Sequence, residues 1–196
     1  MAGPDKQFDE IKALGKAMDI FWEKGFSATS MRDLVKGMGI NRASMYQTYG
    51  NKHALFMAAV DQYVNASLTE IKKILMEPDS PLNKLKHLFE QFLKQSLRGK
   101  KNSCFMNNSA VELGPRDPEL AAKVRYFWAQ FEDIFNDVLT QAVQQNELAH
   151  NTNTRQFAVL LNNTLQGLLI KTKIGIAEDI LLGDLDTLFE VINNQD

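Results

Sequence analysis

With one cysteine, Cys104, the 196-residue chain can build neither an intrachain disulfide framework nor a cysteine-rich zinc site. Its histidines, His53, His87 and His150, lie far apart, and none stands four residues from another. No metal site and no cofactor is expected from them. Five prolines and eleven glycines leave little room for long loops. No segment alternates Val, Ile, Thr or aromatic residues between turn pairs, so strands are not expected. No apolar run reaches the roughly 18–20 residues of a membrane-spanning helix. The polar segment 1–8 lacks the apolar core of a signal peptide. A cytoplasmic protein with no membrane partner is expected. A nucleophile–base pair, a glycine-rich phosphate loop and a metal set are also missing, so the chain is not expected to be an enzyme. Small all-α enzyme and protein-binding adaptor are the competing readings.

What the sequence does have is helical periodicity. Hydrophobic residues make up 44% and charged residues 23%, the balance of an ordinary globular protein. Apolar positions recur at three and four, which predicts an all-α fold of about nine helices. The first helix, 5–24, carries Phe8, Ile11, Leu14, Met18, Phe21 and Trp22 on one face and stops at Gly25. Ser30 caps a second helix, 31–38, with Asp33 in its first turn. Gly39 stops it, and Asn41 caps a third, 42–49. Two short helices joined by a tight turn after a longer one form a helix-turn-helix pattern. Six further helices are expected, at 52–76, 81–97, 104–114, 118–145, 154–176 (capped by Thr154) and 178–193.

The net charge of −2 at first argues against nucleic acid. Its distribution argues the other way. Residues 24–53 hold five basic side chains, Lys24, Arg32, Lys36, Arg42 and Lys52, against one acid, Asp33. Residues 54–196 hold 14 basic and 18 acidic side chains. A basic end on an acidic body is the footprint of local phosphate contact, unless the clustering only marks a solvated face.

The run from Gly25 through Thr29-Ser30, Leu34, Gly39, Tyr46 and Lys52 to Leu55 resembles the DNA-binding domain of the TetR family of bacterial regulators. The resemblance covers about residues 8–56, with Val35 and Gly50 as departures that do not touch the reading surface. It implies a helix-turn-helix DNA-binding domain at 1–53, and a helical effector-binding and dimerisation domain at 54–196. The physical reading agrees. A recognition helix meets base edges with its N-terminal residues. Arg42 can pair with guanine, Ala43 and Ser44 allow close approach, and Tyr46, Gln47 and Thr48 reach bases or phosphates, with Asn41 at the helix start. Thr29, Ser30 and Arg32 would hold phosphates at the start of the second helix, and Lys52 at the start of the fourth. Tyr46 is either such a contact or packed on the first helix. Lys52 is either a phosphate contact or a structural helix start.

The C-terminal part resembles the family in architecture only. There the family dimerises through its last two helices, here 154–176 and 178–193. The expected partner-facing residues are Phe157, Leu161, Thr164, Leu165, Leu168, Leu188 and Phe189, unless the stripe faces the chain's own core. A homodimer implies a pseudo-palindromic double-stranded operator with half-sites roughly 34–36 Å apart or a little more. An effector pocket would draw on Phe89, Phe92, Met106, Phe127, Trp128 and Phe131, each otherwise a core residue. Cys104 opens the sixth helix, as in one branch of the family whose members sense electrophiles or oxidants. At a helix N-terminus near Arg98, Lys100 and Lys101 its thiol is expected to ionise easily; the alternative is a small buried hydrophobe. The effector is thus an unknown small molecule or electrophile.

Overall fold

The computed structural model describes residues 8–98 and 103–193. Among them are nine helices and no strand: α1 Glu10–Lys24, α2 Met31–Met38, α3 Arg42–Tyr49, α4 Lys52–Leu75, α5 Pro81–Arg98, α6 Phe105–Leu113, α7 Pro118–Gln144, α8 Thr154–Lys173 and α9 Glu178–Asn193. The all-α expectation therefore stands. The start expected for the first helix, and Lys100 and Lys101, lie outside the described residues. No helix among those described is long and apolar enough to cross a membrane.

Local chemistry sets the helix ends. Asp9 caps α1 by accepting from the Lys12 N–H at 3.1 Å. The Asn51 and Asp117 side chains do the same for α4 and α7, and Pro118 follows Asp117 at the first helical position. The cap of α8 is Asn153, not Thr154 as expected. The Thr154 hydroxyl instead donates to Asn136 Oδ1 on α7, 3.0 Å away. That bond, with Arg155 to Asp133 at 2.6 Å and Asn162 to Glu132 at 3.3 Å, sets α8 antiparallel along α7.

The core is continuous from α1 to α9. Aromatic edges trace it. Phe189 meets Phe89, then Phe135, Phe131, Phe127, Tyr63, Phe105 and Phe56 follow, and Phe56 touches Phe21 and Phe26, with ring centroids 4.7–6.1 Å apart. This ladder corrects part of the expected effector pocket. Phe89, Met106, Phe127 and Phe131 are fully buried in it, so core packing is the role their contacts show. Trp128 is half-buried. Phe92 is half-buried, with its ring centroid 6.0 Å from that of Phe131, and it also borders a surface cleft of about 420 Å³ shared with Glu70, Ile74, Gln91 and Arg98.

Gly25 occupies a conformation reserved for glycine, with φ 81° and ψ 166°. A Cβ there would also lie 2.7 Å from Glu112 Oε2. Gly25→Ala is expected to destabilise the chain by about 1–3 kcal/mol, read as a lowered thermal midpoint. An unchanged midpoint would show that the turn relaxes freely.

Candidate nucleic-acid interface

The eight-residue helices α2 and α3 are too short to persist alone and are held by packing. Leu34, Met38 and Met45 enter the core beside Ala17 and Phe21 of α1. Burial of one such side chain contributes about 1.5–3 kcal/mol, enough to fix a helix that its propensity alone does not.

Helix α2 begins in a capping box. The Asp33 N–H donates to Ser30 Oγ at 3.1 Å, and the Ser30 N–H and hydroxyl donate to Asp33 Oδ2 at 3.0 and 2.6 Å. Lys24 adds an ion pair to Asp33 at 3.0 Å. The Ser30 hydrogen bonds and then Lys24 hold the Asp33 carboxyl well below its ordinary pKa. Ser30 is exposed, but its hydroxyl proton is committed to Asp33. Arg32 is exposed. Thr29 is a correction: it is 1% exposed, and its hydroxyl donates to the Gly25 carbonyl at 2.6 Å. It braces the turn and is closed to phosphate.

Gly39, left-handed at φ 71°, ends α2 and turns the chain into Asn41. Asn41 Oδ1 accepts from the Ser44 N–H at 2.8 Å and caps α3. Met45 points inward, while Asn41, Arg42, Ala43, Tyr46 and Gln47 are exposed together and Ser44 and Thr48 partly so. Tyr46 is 40% exposed, which settles its two readings against a core role. The Arg42 guanidinium lies 5.6 Å from the Tyr46 ring centroid and reaches its hydroxyl at 3.5 Å. The two side chains form one outward donor surface at the start of the helix. Lys52 is half-buried, with Nζ 4.4 Å from the Phe26 ring centroid. That contact gives Lys52 a structural role at the start of α4.

Contacts from distant sequence support this head, and the sequence carried no local signal for them. Glu112 on α6 accepts from the Phe26 and Ser27 N–H groups at 2.9 and 2.7 Å. Burial works against its charge, yet the Ser27 and Phe26 hydrogen bonds and nearby Lys52 keep its pKa below the ordinary value. Trp22 Nε1 donates to the Ser103 carbonyl at 3.2 Å. His53 Nε2 meets Asp117 Oδ2 at 2.7 Å, and Lys123 pairs with Asp61.

Cys104 is the N-cap residue of α6, with no side-chain capping bond. It is 5% exposed, and its Sγ lies 3.2 Å from the Tyr63 hydroxyl. Burial pushes the thiol pKa up, overriding the Tyr63 hydroxyl and the N–H groups of Asn107 and Met106. The expected easily ionised thiol is thereby corrected: at neutral pH it is protonated.

The expected partner face needs a similar correction. Leu161, Leu165 and Phe189 are buried within this chain, where they cannot meet a second one, while Leu168, 3% exposed, reaches the floor of an outward groove between α8 and α9. Phe157, Thr164 and Leu188 remain partly exposed. Thr164 and Leu188 border this groove of about 470 Å³, with Gly167, Lys171, Asp184, Thr187 and Val191.

Two family models match the sequence. Bacterial regulatory proteins, tetR family, covers residues 13–59, and the tetracyclin repressor-like C-terminal domain covers residues 81–178. An uncharacterized HTH-type transcriptional regulator of Bacillus subtilis (strain 168), YezE, is 33% identical over 97% of this chain and 100% of its own length. The HTH-type transcriptional repressor ComR of Escherichia coli (strain K12) is 28% identical over 92% of this chain and 87% of its own. Among solved structures, a cysteine mutant of the TetR family regulator CifR complexed with 26-base-pair operator DNA matches with TM-score 0.87. It is 20% identical and covers 97% of this chain and 100% of that one. The reduced form of Escherichia coli NemR matches with TM-score 0.81 at 16% identity, covering 90% and 93%. The chain is a DNA-binding regulator rather than an enzyme, and it belongs to the TetR family of bacterial transcriptional regulators.

Proposed function

We propose that the chain is a cytoplasmic, homodimeric, ligand-responsive repressor that reads a pseudo-palindromic operator with α3. Residues 1–53 read DNA, and residues 54–196 bind effector and partner. The outward end of α3 carries this reading: Arg42 and Tyr46 paired, Ala43 small, and Gln47 exposed beside them. Arg42 supplies a bidentate donor fork for guanine, and Ala43 allows the helix to seat deeply in the major groove. Exposed Arg32 supplies phosphate contact from α2. Selecting bound duplexes from random DNA tests the reading. The expected result is a two-fold-related site whose affinity falls steeply with salt. Failure to enrich any site would favour a protein-binding adaptor.

An effector that prefers one spacing of the two α3 helices must weaken operator binding by its own coupling free energy. A thiol-reactive effector acting at Cys104 stays within this proposal. CifR bound its operator as a cysteine mutant, and NemR was solved in a form named as reduced. In this chain the protonated, buried thiol supports slow modification. Alkylation by iodoacetamide at neutral pH is expected to run at least about tenfold slower in the native than in the denatured protein, and to speed up as pH rises. Completed modification is expected to weaken operator binding, measured by titration with labelled duplex. Unchanged affinity at full modification removes Cys104 as a sensor.

A further inference from the structure

Helix α6 is fastened to the DNA-reading head at both ends. At its start, the Ser103 carbonyl accepts from Trp22 Nε1 of α1 at 3.2 Å. At its end, the two Glu112 carboxylate oxygens each take one backbone N–H of the α1–α2 turn, Phe26 at 2.9 Å and Ser27 at 2.7 Å. These amides follow the end of α1, where no helical bond claims them. The fit is close, since any side chain at Gly25 would collide with the carboxylate. The same turn leads directly into Thr29 and the capping box that starts α2. Phe26 also lies under Lys52 Nζ, at 4.4 Å, so the carboxylate fixes the ring on which that cation rests.

We propose that Glu112 is a positioning residue for operator binding: its carboxylate clamps the α1–α2 turn and so sets where α2 and Lys52 meet the DNA backbone. Glu112 touches no DNA itself. It acts from α6, whose first residue follows Cys104, so a displacement of α6 slackens the turn before it reaches α3. Two charge-assisted hydrogen bonds on a turn of three exposed or half-buried residues are enough to bias its position.

The inference rests on the operator reading above, and the test separates the two. An operator is selected from random duplexes with the unaltered protein. Amide exchange at Phe26 and Ser27 is then measured with and without it. By linkage, the operator should slow exchange at both amides. Glu112→Gln keeps the volume but loses the charge. It should weaken operator binding about tenfold, the size expected for one charge-assisted hydrogen bond, with Glu112→Ala weaker still. Base preference should be unchanged in both, and exchange at Phe26 and Ser27 faster. A merely structural role would lower the thermal midpoint and leave the affinity of the folded protein as it was. Affinity within twofold of wild type in both variants, or exchange indifferent to operator, overturns the clamp while the operator reading stands. If the unaltered protein selects no duplex, that reading fails and the clamp falls with it. Should Glu112→Ala not fold, the exchange measurement on the unaltered protein decides.

Discussion

An Arg42→Ala protein is expected to keep its fold and lose discrimination at one base pair in each half-site. Arg42 is exposed at the first position of α3, and its contact within the chain is with Tyr46 on the same face. Removing it therefore costs the free protein little. On DNA it removes a bidentate contact worth about 1–3 kcal/mol per half-site. Lys52→Ala makes the contrast. A phosphate contact carries no sequence information, so all duplexes should weaken alike, and the salt slope should fall by about one. Lys52 also covers the Phe26 ring, so its loss should lower the thermal midpoint, which Arg42→Ala should not. Binding of a panel of single-base operator variants at several salt concentrations separates the two. An Arg42→Ala protein with the wild-type preference at every position would move base reading to Gln47 or Tyr46.

The parts legible in the sequence are those fixed by neighbours in sequence. Ser30 and Asp33 stand three apart and form the capping box; Asn41 caps α3 through Ser44 in the same way. Gly39 marks the turn because a left-handed residue is needed there. What failed depended on burial, and mostly on partners far along the chain. Thr29 and Ser30 look alike as adjacent hydroxyls, yet the bend at Gly25 turns one inward and leaves the other outside. Cys104 at a helix start reads as an activated thiol, because the N-terminal N–H groups are local. The burial that outweighs them is set by the tertiary core, and it overrides even the Tyr63 hydroxyl, 41 residues away, which favours the thiolate. Glu112 reads as an ordinary surface acid; its partners lie 85 and 86 residues earlier. The aromatic residues of α5 and α7 have the composition of a ligand pocket and the packing of a core, and periodicity does not distinguish the two.

The stripe of α8 largely faces the chain's own core for a related reason, and that yields a sharp test. Period-three-and-four spacing finds the most apolar face of a helix, and in a helix packed on its own core that face points inward. Leu161 and Leu165 do so. A partner is therefore expected on the next face round, where Thr164, Gly167, Leu168 and Lys171 line the groove against Asp184, Thr187, Leu188 and Val191 of α9. Lys171 and Asp184 tie the two helices at its edge, 2.6 Å apart. Val191, which lines this groove, is 58% exposed. At Gly167 an added Cβ meets nothing within 4 Å in this chain. Gly167→Arg is thus accommodated by the protomer and stabilises α8 by up to about 1 kcal/mol, because glycine is a poor helix residue. Against a second copy packed there, the same side chain places a charge in the seam. The variant is expected to sediment as a monomer with a thermal midpoint that no longer depends on concentration, and to bind a full operator about 100-fold or more weakly, since the second half-site loses its tethering advantage. Binding to an isolated half-site should be unchanged. A Gly167→Arg protein that remains a dimer with wild-type operator affinity would place the interface elsewhere, whereas Leu165→Arg, which buries a charge in the core, should unfold the chain whether or not it dimerises.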